Sequence, residues 1–334
     1  MKFHGDTRAF FDHAKVFVAG GSGFIGSHVV EQLIELGAKV TVHSRSPQPR
    51  FLEAVMGQIQ LVNGDLTTTA QLSELLQGHD VCLNLAATVA GIERNSKEPA
   101  TIFQQNLGPF MNLMSAVRLA GIRRVLVTSS ACVYPRECSI PTPEEEGFLD
   151  QPDPSNRGYG WAKRMEEFLG EAYAQEFGLE VAIARPYNAY GPRDNFEPKS
   201  SHVIPALIRK AATSVDGSFE VWGNGDHSRS FLYVEDFARG LLEVTARHAV
   251  AKALNLGNNE EVKVRDLALQ IATLVGARQN RTLTPRFVSD GLTGQPRRRC
   301  DTQKAESLLG FSPQVRLENG LERTVDWFFQ EHAS

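Results

Sequence analysis

The chain has 334 residues, of which 42% are hydrophobic and 22% are charged, the composition of a globular protein that can bury a large core. Its formal net charge of −4 gives no overall positive surface, which argues against nucleic acid and anionic membranes as partners. The four cysteines lack the spacing of zinc sites, and no apolar stretch reaches the length of about 18 residues that a membrane helix needs. We therefore expect a cytoplasmic protein without a metal site or disulfides.

Short apolar runs alternate with helical patterns through the first half of the chain. Strands are predicted at residues 16–19, 39–43, 59–62, 81–85, 124–129 and 179–184. Helices, each followed by a glycine, are predicted at residues 24–36, 100–120 and 159–177. Strands that alternate with helices form a parallel sheet covered on both faces and joined by right-handed connections. The pattern predicts a Rossmann-type doubly wound α/β fold.

The pattern of the sequence changes after residue 185, where turn-rich segments such as WGNGDHSRS interrupt the alternation of predicted strands and helices. Such segments are typical of loops that line a cleft. We predict a cofactor-binding domain over residues 1–185 and a smaller α/β substrate lobe over residues 186–334. The helical pattern in FLYVEDFARGLLEV predicts that residues 231–256 return to the first domain, so that the lobes are interleaved. The first 13 residues have no assigned role.

A glycine-rich turn lies between the first predicted strand and the first predicted helix, in VFVAGGSGFIGSHVV. Gly20 allows a tight turn, Gly23 lets the backbone approach a pyrophosphate, and Gly26 allows close contact of helix and strand. The N-terminus of the following helix presents free N–H groups and a positive dipole to phosphates. In this strand–turn–helix setting, the motif favours dinucleotide binding over a purely structural turn.

The end of the second predicted strand bears on the choice of nucleotide. NAD-binding folds place an acidic residue there, about 20 residues after the glycines, to bind the ribose 2′-hydroxyl. Here the strand ends in His43, Ser44, Arg45 and Ser46, without a carboxylate. Ser44 and Arg45 suit a 2′-phosphate, which favours NADP(H). NAD(H) remains an alternative, in which Arg45 is a solvated surface residue.

Two further strand ends are candidate cofactor contacts. The segment GDL is expected to place Asp65 and Leu66 near the adenine. In the segment NLAA, Leu85, Ala86 and Ala87 are expected to lie along the cofactor. Both segments are apolar strand ends, for which a purely structural role is the alternative.

A tyrosine and a lysine lie four residues apart in RGYGWAKRMEEFL, so both project from one face of the predicted helix. The phenol of Tyr159 has an ordinary pKa of about 10, and the Lys163 ammonium one turn away is expected to lower that pKa. Tyr159 then exchanges a proton with a carbonyl or alcohol oxygen as hydride is transferred, and Lys163 also binds ribose hydroxyls. Ser130, at a strand end, is expected to hold the same oxygen.

These motifs together resemble the extended short-chain dehydrogenases/reductases of the NAD(P)-dependent nucleotide-sugar epimerase/dehydratase group. The resemblance covers nearly the whole chain and rests on GGSGFIG, NLAA, SSACVYP, YGWAK and RPYNAYGP. Within the group, the segment GPRDNFEPKSSHVIPALIRK at residues 191–210 is similar to the GDP-L-fucose synthases. SSACVYP is closer still to the GDP-mannose 3,5-epimerases, so two branches of the family compete.

The resemblance implies that Cys132 and His202 form the pair that epimerises the sugar. A ketone at C4 acidifies the hydrogens at C3 and C5, so one group can remove a proton and a second can deliver one to the opposite face. Cysteine becomes a base when positive groups stabilise its thiolate, and histidine titrates near neutrality. Without this context, Cys132 is interpreted as a small packed hydrophobe and His202 as a helix cap or a core histidine.

The resemblance also implies the remaining binding residues. For the cofactor it adds Phe24, Ile25, Pro186, Asn188 and Ala189. For the substrate it implies Asn188, His202, Val203, Lys210, Trp222, Arg229 and Asp290. Arg229 is expected to pair with a nucleotide diphosphate, because the guanidinium fork suits phosphate. Trp222 is equally interpreted as a core residue, and the run Pro296–Arg299 as either a solvated face or a phosphate contact.

The implied function is that of a 3,5-epimerase and 4-reductase of a nucleoside-diphosphate 4-keto-6-deoxy sugar, with a GDP-sugar favoured. The alternative is an epimerase that oxidises and re-reduces C4 with NAD, without net redox. A non-catalytic nucleotide sensor is a minor alternative, because such proteins tend to lose the Tyr–Lys pair. The family implies a homodimer through the helices at 100–120 and 159–177. The residues that suit either the interface or the chain's own core are Phe110, Met114, Val117, Met165, Phe168 and Ala172.

Overall fold

A computed structural model of the chain describes residues 1–66, 68–89, 91–198, 200–288 and 295–332. The strands are β1 (Lys15–Ala19), β2 (Lys39–Ser44), β3 (Ile59–Asn63), β4 (Val81–Asn84), β5 (Arg124–Thr128), β6 (Glu180–Pro186), β7 (Ala189–Tyr190), β8 (Ser218–Trp222), β9 (Ser228–Ser230), β10 (Leu232–Tyr233), β11 (Ala253–Leu256), β12 (Glu261–Lys263), β13 (Thr284–Val288) and β14 (Arg297–Arg298). The helices are α1 (Gly5–Phe11), α2 (Phe24–Glu35), α3 (Thr69–Leu76), α4 (Ile92–Lys97), α5 (Pro99–Leu119), α6 (Arg157–Phe177), α7 (Val203–Ala212), α8 (Val234–Arg247), α9 (Val264–Gln279), α10 (Gln303–Leu309) and α11 (Leu317–Glu331). In the part of the chain that these ranges cover, none of the helices combines the length and the apolar character that crossing a membrane requires.

A parallel sheet forms the centre of the first lobe. Within the described residues it has seven strands, in the order β11-β6-β5-β4-β1-β2-β3. Val16, Phe17 and Val18 of β1 are fully buried, because helices cover both faces of the sheet. The strand order reverses at β1, which pairs with β2 on one side and with β4 on the other. In open α/β sheets, ligands bind in the crevice at the carboxyl ends of the strands beside such a reversal.

The strands and helices predicted from the sequence agree with those of the structure to within two residues at each end. The predicted Rossmann-type doubly wound fold is confirmed. Apolar runs locate the strands because parallel strands are buried on both faces. α5 and α6 end where Gly121 and Gly178 take left-handed φ angles of 72° and 69°.

The chain returns from the second lobe to the first through α8 and β11. β11 pairs with β6 at the edge of the large sheet, with Ala253 opposite Ile183. Leu241 and Leu242 of α8 belong to the same buried cluster as Val18 of β1. α8 and β11 therefore contribute to the core of the first lobe, although they follow segments of the second lobe in the chain.

α1 gives the N-terminal residues a structural role that the sequence did not assign. Phe11 is fully buried in the core cluster beside α8. The Thr7 hydroxyl donates a hydrogen bond of 2.6 Å to one carboxylate oxygen of Glu243, and the backbone N–H of His4 donates one of 2.9 Å to the other oxygen. α1 therefore satisfies a buried carboxylate of α8 and adds to the core.

The second lobe consists of short strands packed on α7, α9 and α11. β12, β9 and β14 form one small sheet, and β8 pairs with β13 in parallel. Ile208, Ile271 and Phe328, one from each of the three helices, share an apolar core. The short strands thus rest on a core of their own, separate from the large sheet.

α5 shows that three expected interface residues belong to the core of the chain itself. Phe110, Met114 and Val117 are buried in the cluster under the large sheet. Their assignment to a subunit interface is therefore wrong, and the core alternative is confirmed. The apolar side chains that α5 and α6 do expose include Met111 and Phe168.

Candidate active site

The glycine-rich turn connects β1 to α2 where the strand order reverses. Gly20 has a left-handed φ of 76°, and a Cβ there would lie 2.7 Å from a backbone nitrogen of the segment after β4. A Cβ at Gly26 would lie 2.3 Å from the carbonyl oxygen of Gly20. Gly23 is the N-cap of α2 and no side chain caps that end, which leaves the N–H groups of the first turn, at Phe24 and Ile25, available to an anion. The turn therefore fits the pyrophosphate of a dinucleotide.

The end of β2 lies against this turn. The buried Ser44 hydroxyl donates a hydrogen bond of 2.8 Å to Oγ of Ser22. Arg45 is exposed. Ser44 therefore fixes the end of β2 to the glycine-rich turn, and Arg45 is the charged residue at that edge.

The segments after β3 and β4 complete the cofactor side. Leu85 donates its N–H to the last carbonyl of β1 over 2.9 Å, so NLAA continues β4 past the glycine-rich turn. Leu85 and Ala86 are half-buried and Ala87 is exposed. Asp65 is exposed after β3, whereas Leu66 is buried in the cluster that contains residues of α3 and α5. Leu66 thus packs in the core, as the structural interpretation proposed.

α6 carries Tyr159 and Lys163 to the carboxyl end of β5. Nζ of Lys163 lies 5.6 Å from the centroid of the Tyr159 ring. It donates hydrogen bonds to the Thr128 carbonyl at 3.0 Å and to the Glu166 carboxylate at 2.8 Å. Lys163 and Glu166 are both buried. The lysine is therefore held by a strand carbonyl and by a carboxylate that the sequence analysis did not single out.

Burial sets the protonation state of Tyr159. It raises the pKa of the phenol to about 12, and the Lys163 ammonium and the Ser130 hydroxyl lower this pKa only in part. The predicted lowering effect of the Lys163 ammonium is present, but desolvation of the phenolate outweighs it, so the net pKa of Tyr159 is raised. Burial likewise raises the pKa of Glu166 to about 7, which Lys163 only partly offsets. Tyr159 is therefore a phenol at neutral pH, the form that donates a proton.

Ser130 and Cys132 lie on a short 3-10 turn after β5. Oγ of Ser130 accepts a hydrogen bond of 3.1 Å from the backbone N–H of Cys132. α6 packs directly on this turn, since a Cβ at Gly160 would lie 2.4 Å from the Cys132 carbonyl oxygen. Nε of Arg164 donates a hydrogen bond of 2.8 Å to the last carbonyl of the turn. α6 thus holds Ser130 and Cys132 beside Tyr159, on which both act electrostatically.

Cys132 differs from the cysteines of the core. Cys82 and Cys300 are fully buried, as expected for Cys82, and burial raises the pKa of both thiols. Cys132 is only partly buried, and Nη2 of Arg298 donates a hydrogen bond of 3.4 Å to its Sγ. Partial exposure and a guanidinium contact both argue against the interpretation of Cys132 as a packed hydrophobe.

A pair of arginines lies beside the thiol. β14 pairs with β9 in parallel and places Arg298 opposite Arg229. Neither guanidinium forms an ion pair with a described residue, and Arg229 donates a hydrogen bond of 2.8 Å to the Ser228 carbonyl. Burial and the adjacent Arg298 lower the pKa of Arg229 to about 10. Two neighbouring guanidinium groups without a carboxylate suit a diphosphate.

His202 stands at the N-terminus of α7. It is the N-cap through its backbone, and its side chain caps nothing. The side chain is 57% exposed, with Nδ1 3.8 Å from Oδ1 of the buried Asp194. The Asp194 carboxylate raises the pKa of His202, which favours the imidazolium. The interpretations as a capping side chain and as a core histidine are therefore wrong. Arg298, another residue of the second lobe, also acts electrostatically on His202.

The segment after β6 leads from the large sheet into the second lobe. Pro186 ends β6 and is buried, and Ala189 is half-buried in β7. Asn188 has a left-handed φ of 34°, and its Nδ2 donates a hydrogen bond of 2.7 Å to the Ser230 carbonyl. Asparagine tolerates this backbone region better than most residues. Val203, half-buried, begins α7 directly after the histidine.

Lys210 and Trp222 contact each other on the second lobe. Nζ of Lys210 lies 4.8 Å from the centroid of the indole and donates a hydrogen bond of 3.1 Å to the Glu220 carbonyl. Trp222 is 61% exposed, so its interpretation as a core residue is wrong. An exposed indole offers a face on which a nucleotide base can stack. Asp290 lies outside the described residues.

Three residues of the site were not assigned a role from the sequence. The run that contains Arg298 was left open between a solvated face and a phosphate contact. Nothing in the sequence indicated a role for Glu166 and Asp194, because acidic residues beside a motif are common. Their partners, Lys163 and His202, were the residues that the motifs identified.

Comparison with known proteins identifies the family of the chain. Residues 16–257 match the NAD dependent epimerase/dehydratase family. The chain belongs to this family. GDP-L-fucose synthase 1 of Arabidopsis thaliana is 33% identical to it over 322 residues, which cover 95% of this chain and 94% of that protein. The dTDP-4-dehydro-6-deoxy-D-allose reductase of a Streptomyces species is 30% identical over 319 residues, which cover 94% of this chain and 95% of that protein.

A solved structure extends the likeness to a cofactor complex. DesIV, a dTDP-glucose 4,6-dehydratase from Streptomyces venezuelae solved with NAD bound, superposes with a TM-score of 0.81 and 26% sequence identity. The match covers 95% of this chain and 97% of DesIV. This member of the epimerase/dehydratase family is therefore an NAD(P)-dependent enzyme with a Rossmann fold, as predicted.

Proposed function

We propose that this enzyme is a 3,5-epimerase and 4-reductase of a nucleoside-diphosphate 4-keto-6-deoxy sugar. The observation that carries the proposal is the position of Cys132, whose thiol accepts a hydrogen bond from Arg298 and lies beside Tyr159 and Ser130. One site thus combines groups that can move carbon-bound protons with groups that can handle a carbonyl oxygen.

In the epimerase step, the Cys132 thiolate removes a proton from C3 or C5, next to the C4 ketone. The electron pair of the C–H bond moves onto the C4 oxygen to give an enolate. The hydroxyls of Ser130 and Tyr159 stabilise that oxygen with hydrogen bonds. His202, which Asp194 favours in its protonated form, delivers a proton to the opposite face of the carbon.

In the reductase step, Tyr159 donates its proton to the C4 oxygen. The bound nicotinamide cofactor supplies the hydride that reduces C4. Burial keeps Tyr159 protonated at neutral pH, which is the state that a reductase needs. The Lys163 ammonium, fixed by Glu166 and by a β5 carbonyl, stabilises the phenolate left behind.

The nucleotide part of the substrate is assigned to the second lobe. Arg229 and Arg298 would bind the diphosphate with bidentate hydrogen bonds, and Trp222 with Lys210 would contact the base. A GDP-sugar is favoured because the Arabidopsis relative is a GDP-L-fucose synthase. A dTDP-sugar is the competitor, because the Streptomyces relative is a dTDP-sugar reductase.

NADP(H) is the favoured cofactor. The exposed Arg45 stands where NAD-binding folds place a carboxylate, and the next residue is again a serine. A guanidinium there attracts a 2′-phosphate, whereas a carboxylate would repel it. The homodimer is proposed to form through the exposed faces of α5 and α6, where Met111 and Phe168 present apolar surface.

An epimerase without net redox is the second candidate function. It is favoured by the SSACVYP segment, and Cys132 with His202 would serve it equally well. In that reaction the enzyme oxidises C4 and returns the same hydride, so free reduced cofactor is not consumed.

The two functions differ in whether reduced cofactor disappears. The protein is incubated with GDP-4-keto-6-deoxymannose and NADPH in deuterium oxide, and the absorbance of the reduced nicotinamide is followed together with deuterium at C3 and C5. We expect one NADPH to be consumed per sugar and deuterium to enter the product. Deuterium incorporation without loss of NADPH would instead exclude the reductase and leave the epimerase, and loss of NADPH without deuterium would exclude epimerisation. The dTDP-sugar analogue, run in parallel, tests the choice of base.

A further inference from the structure

A guanidinium group lies against the thiol of Cys132. Nη2 of Arg298 is 3.4 Å from Sγ and donates a hydrogen bond to it. The contact joins the turn after β5 to β14 of the second lobe, across 166 positions of the chain. Nε of Arg298 is buried without a hydrogen-bond partner among the described residues, whereas the residue as a whole is half-buried. The guanidinium is therefore held against the thiol without a carboxylate that neutralises it in an ion pair.

The neighbouring Arg297 is placed quite differently. It is exposed and forms a bidentate ion pair with Glu261, with distances of 3.0 Å from Nε and 2.7 Å from Nη2 to the two carboxylate oxygens. Successive side chains of a strand point to opposite faces, which directs Arg298 away from this carboxylate. Arg297 is thus a matched control of the same residue type on the same strand.

The titratable and charged groups around Cys132 come from several elements. Tyr159 on α6 faces the thiol, and because burial raises its pKa to about 12, it is neutral below that pH. His202 at the start of α7 and Asp153 ahead of α6 act on Arg298. Arg298 on β14 is the cation in direct contact with the sulfur.

We propose that Arg298 is a positioning residue that activates Cys132, by stabilising its thiolate and by orienting the sulfur. A nearby cation favours the thiolate over the thiol, and so does a hydrogen bond donated to the charged form. The inference rests on the proposed epimerase step, in which that thiolate is the base. It assigns Arg298 to the chemistry of the site as well as to phosphate binding.

The protons and electrons of this step balance. The Cys132 S–H first loses its proton to solvent, helped by Arg298. The thiolate then takes a proton from C3 or C5, and the electron pair of that C–H bond passes to the C4 oxygen. His202 gives a proton to the opposite face of the carbon. Before the next cycle, solvent reprotonates the imidazole and accepts the proton that the thiol has gained.

The test measures how fast Cys132 reacts with iodoacetamide between about pH 6 and pH 10, in the full chain without substrate. The parent protein carries Cys138→Ser, because Cys138 is the other partly exposed thiol. Alkylation of the Cys132 peptide is quantified by mass spectrometry. The variants are Arg298→Gln, Arg298→Lys and the control Arg297→Gln.

Arg298→Gln is expected to raise the pH of half-maximal alkylation by about one or more, because an opposite charge in contact changes a pKa by about 1–3. Arg298→Lys keeps the charge and is expected to lie between Arg298→Gln and the parent, whereas Arg297→Gln superimposes on the parent. A profile of Arg298→Gln that superimposes on the parent overturns the proposal. If Arg298→Gln does not fold, Arg298→Met takes its place, because methionine keeps most of the packed volume and loses the charge. A raised pH of half-maximal alkylation in Arg298→Met supports the proposal, and a profile that superimposes on the parent overturns it.

A second measurement separates failure of this inference from failure of the proposed function. With the 4-keto sugar in deuterium oxide at neutral pH, Arg298→Gln is expected to exchange deuterium at C3 and C5 about tenfold more slowly, because less thiolate is present when the cation in contact with the sulfur is removed. Exchange is expected to recover at higher pH. A changed alkylation profile together with no exchange by the wild type overturns the proposed function and supports the action of Arg298 on the thiol. An unchanged profile together with normal exchange overturns only the role of Arg298.

Discussion

Tyr159 is half-buried and Glu166 is buried on the same helix, and desolvation raises the pKa of each, to about 12 and to about 7. Lys163 pairs with Glu166 at 2.8 Å and lies 5.6 Å from the Tyr159 ring. The ammonium favours the phenolate, whereas the Glu166 carboxylate opposes it. The acidity of the tyrosine therefore depends on a carboxylate that does not touch it.

The variant Glu166→Gln is predicted to lower the pKa of Tyr159 by about one pH unit. The substitution removes a negative charge, and a phenolate forms more easily when a like charge is absent. The measurement is a titration of phenolate absorbance, taken as the difference between Glu166→Gln and the same protein with Tyr159→Phe. The difference isolates this tyrosine from the others.

The matched control is Glu171→Gln, an exposed glutamate on the same helix. It is expected to leave the titration of Tyr159 unchanged. A midpoint in Glu166→Gln that equals or exceeds that of the wild type would show that Glu166 has no influence on the tyrosine.

At the scale of elements, the glycine-rich turn places β1, α2 and the segment after β4 within backbone contact of one another. A methyl group at Gly26 would lie 2.3 Å from a backbone oxygen, and backbone cannot move aside as a flexible side chain can. The shape of the glycine-rich turn is thus set by the close approach of backbone atoms, with no side chain at this position.

The variant Gly26→Ala is predicted to weaken NADPH binding about tenfold or more, since overpacking costs about 1–3 kcal/mol at the turn that receives the pyrophosphate. The affinity is measured by fluorescence titration of NADPH. Gly5→Ala is the control, because a Cβ at Gly5 meets no atom within 4 Å. Equal affinities in Gly26→Ala and Gly5→Ala would contradict the assignment of the turn to the cofactor.

The sequence predicted the elements that carry the cofactor side. β1, β4 and β5 are buried on both faces, so they appear as uninterrupted apolar runs. Tyr159 and Lys163 share a helix, so a spacing of four residues was enough to place them on one face.

The contacts between segments that are distant in the chain could not be predicted from the sequence. β9 and β14 have three and two residues, too few to show a periodic pattern, and they pair only with segments remote in the chain. The contact of Arg298 with Cys132 depends on that pairing. The spacing of Tyr159 and Lys163 indicated the lowering effect of the lysine but not the larger rise in pKa from desolvation, because the degree of burial is a property of the folded molecule.

At the scale of the whole molecule, the site is built from both lobes. Cys132, Ser130 and Tyr159 stand at the carboxyl ends of the large sheet, whereas His202 and Arg298 come from the second lobe. Between His202 and Arg298 in the chain, α8 and β11 return to the first lobe and pack in its core. Arg298 contacts the proposed base Cys132 of the first lobe and acts electrostatically on the proposed acid His202 of the second lobe.

The central claim is that one site contains two separable sets of groups, Cys132 for proton removal and Tyr159 for reduction. The direct test is deuterium incorporation at C3 and C5 of the 4-keto sugar by Cys132→Ser, with Tyr159→Phe as the reference. Cys132→Ser is predicted to lose at least about 10²-fold in deuterium incorporation, because the base is removed. Tyr159→Phe keeps the base and the Ser130 donor to the enolate oxygen, so it is predicted to lose less deuterium incorporation than Cys132→Ser while it loses about 10²–10⁴-fold in NADPH consumption. Deuterium incorporation by Cys132→Ser at the wild-type rate would contradict the account.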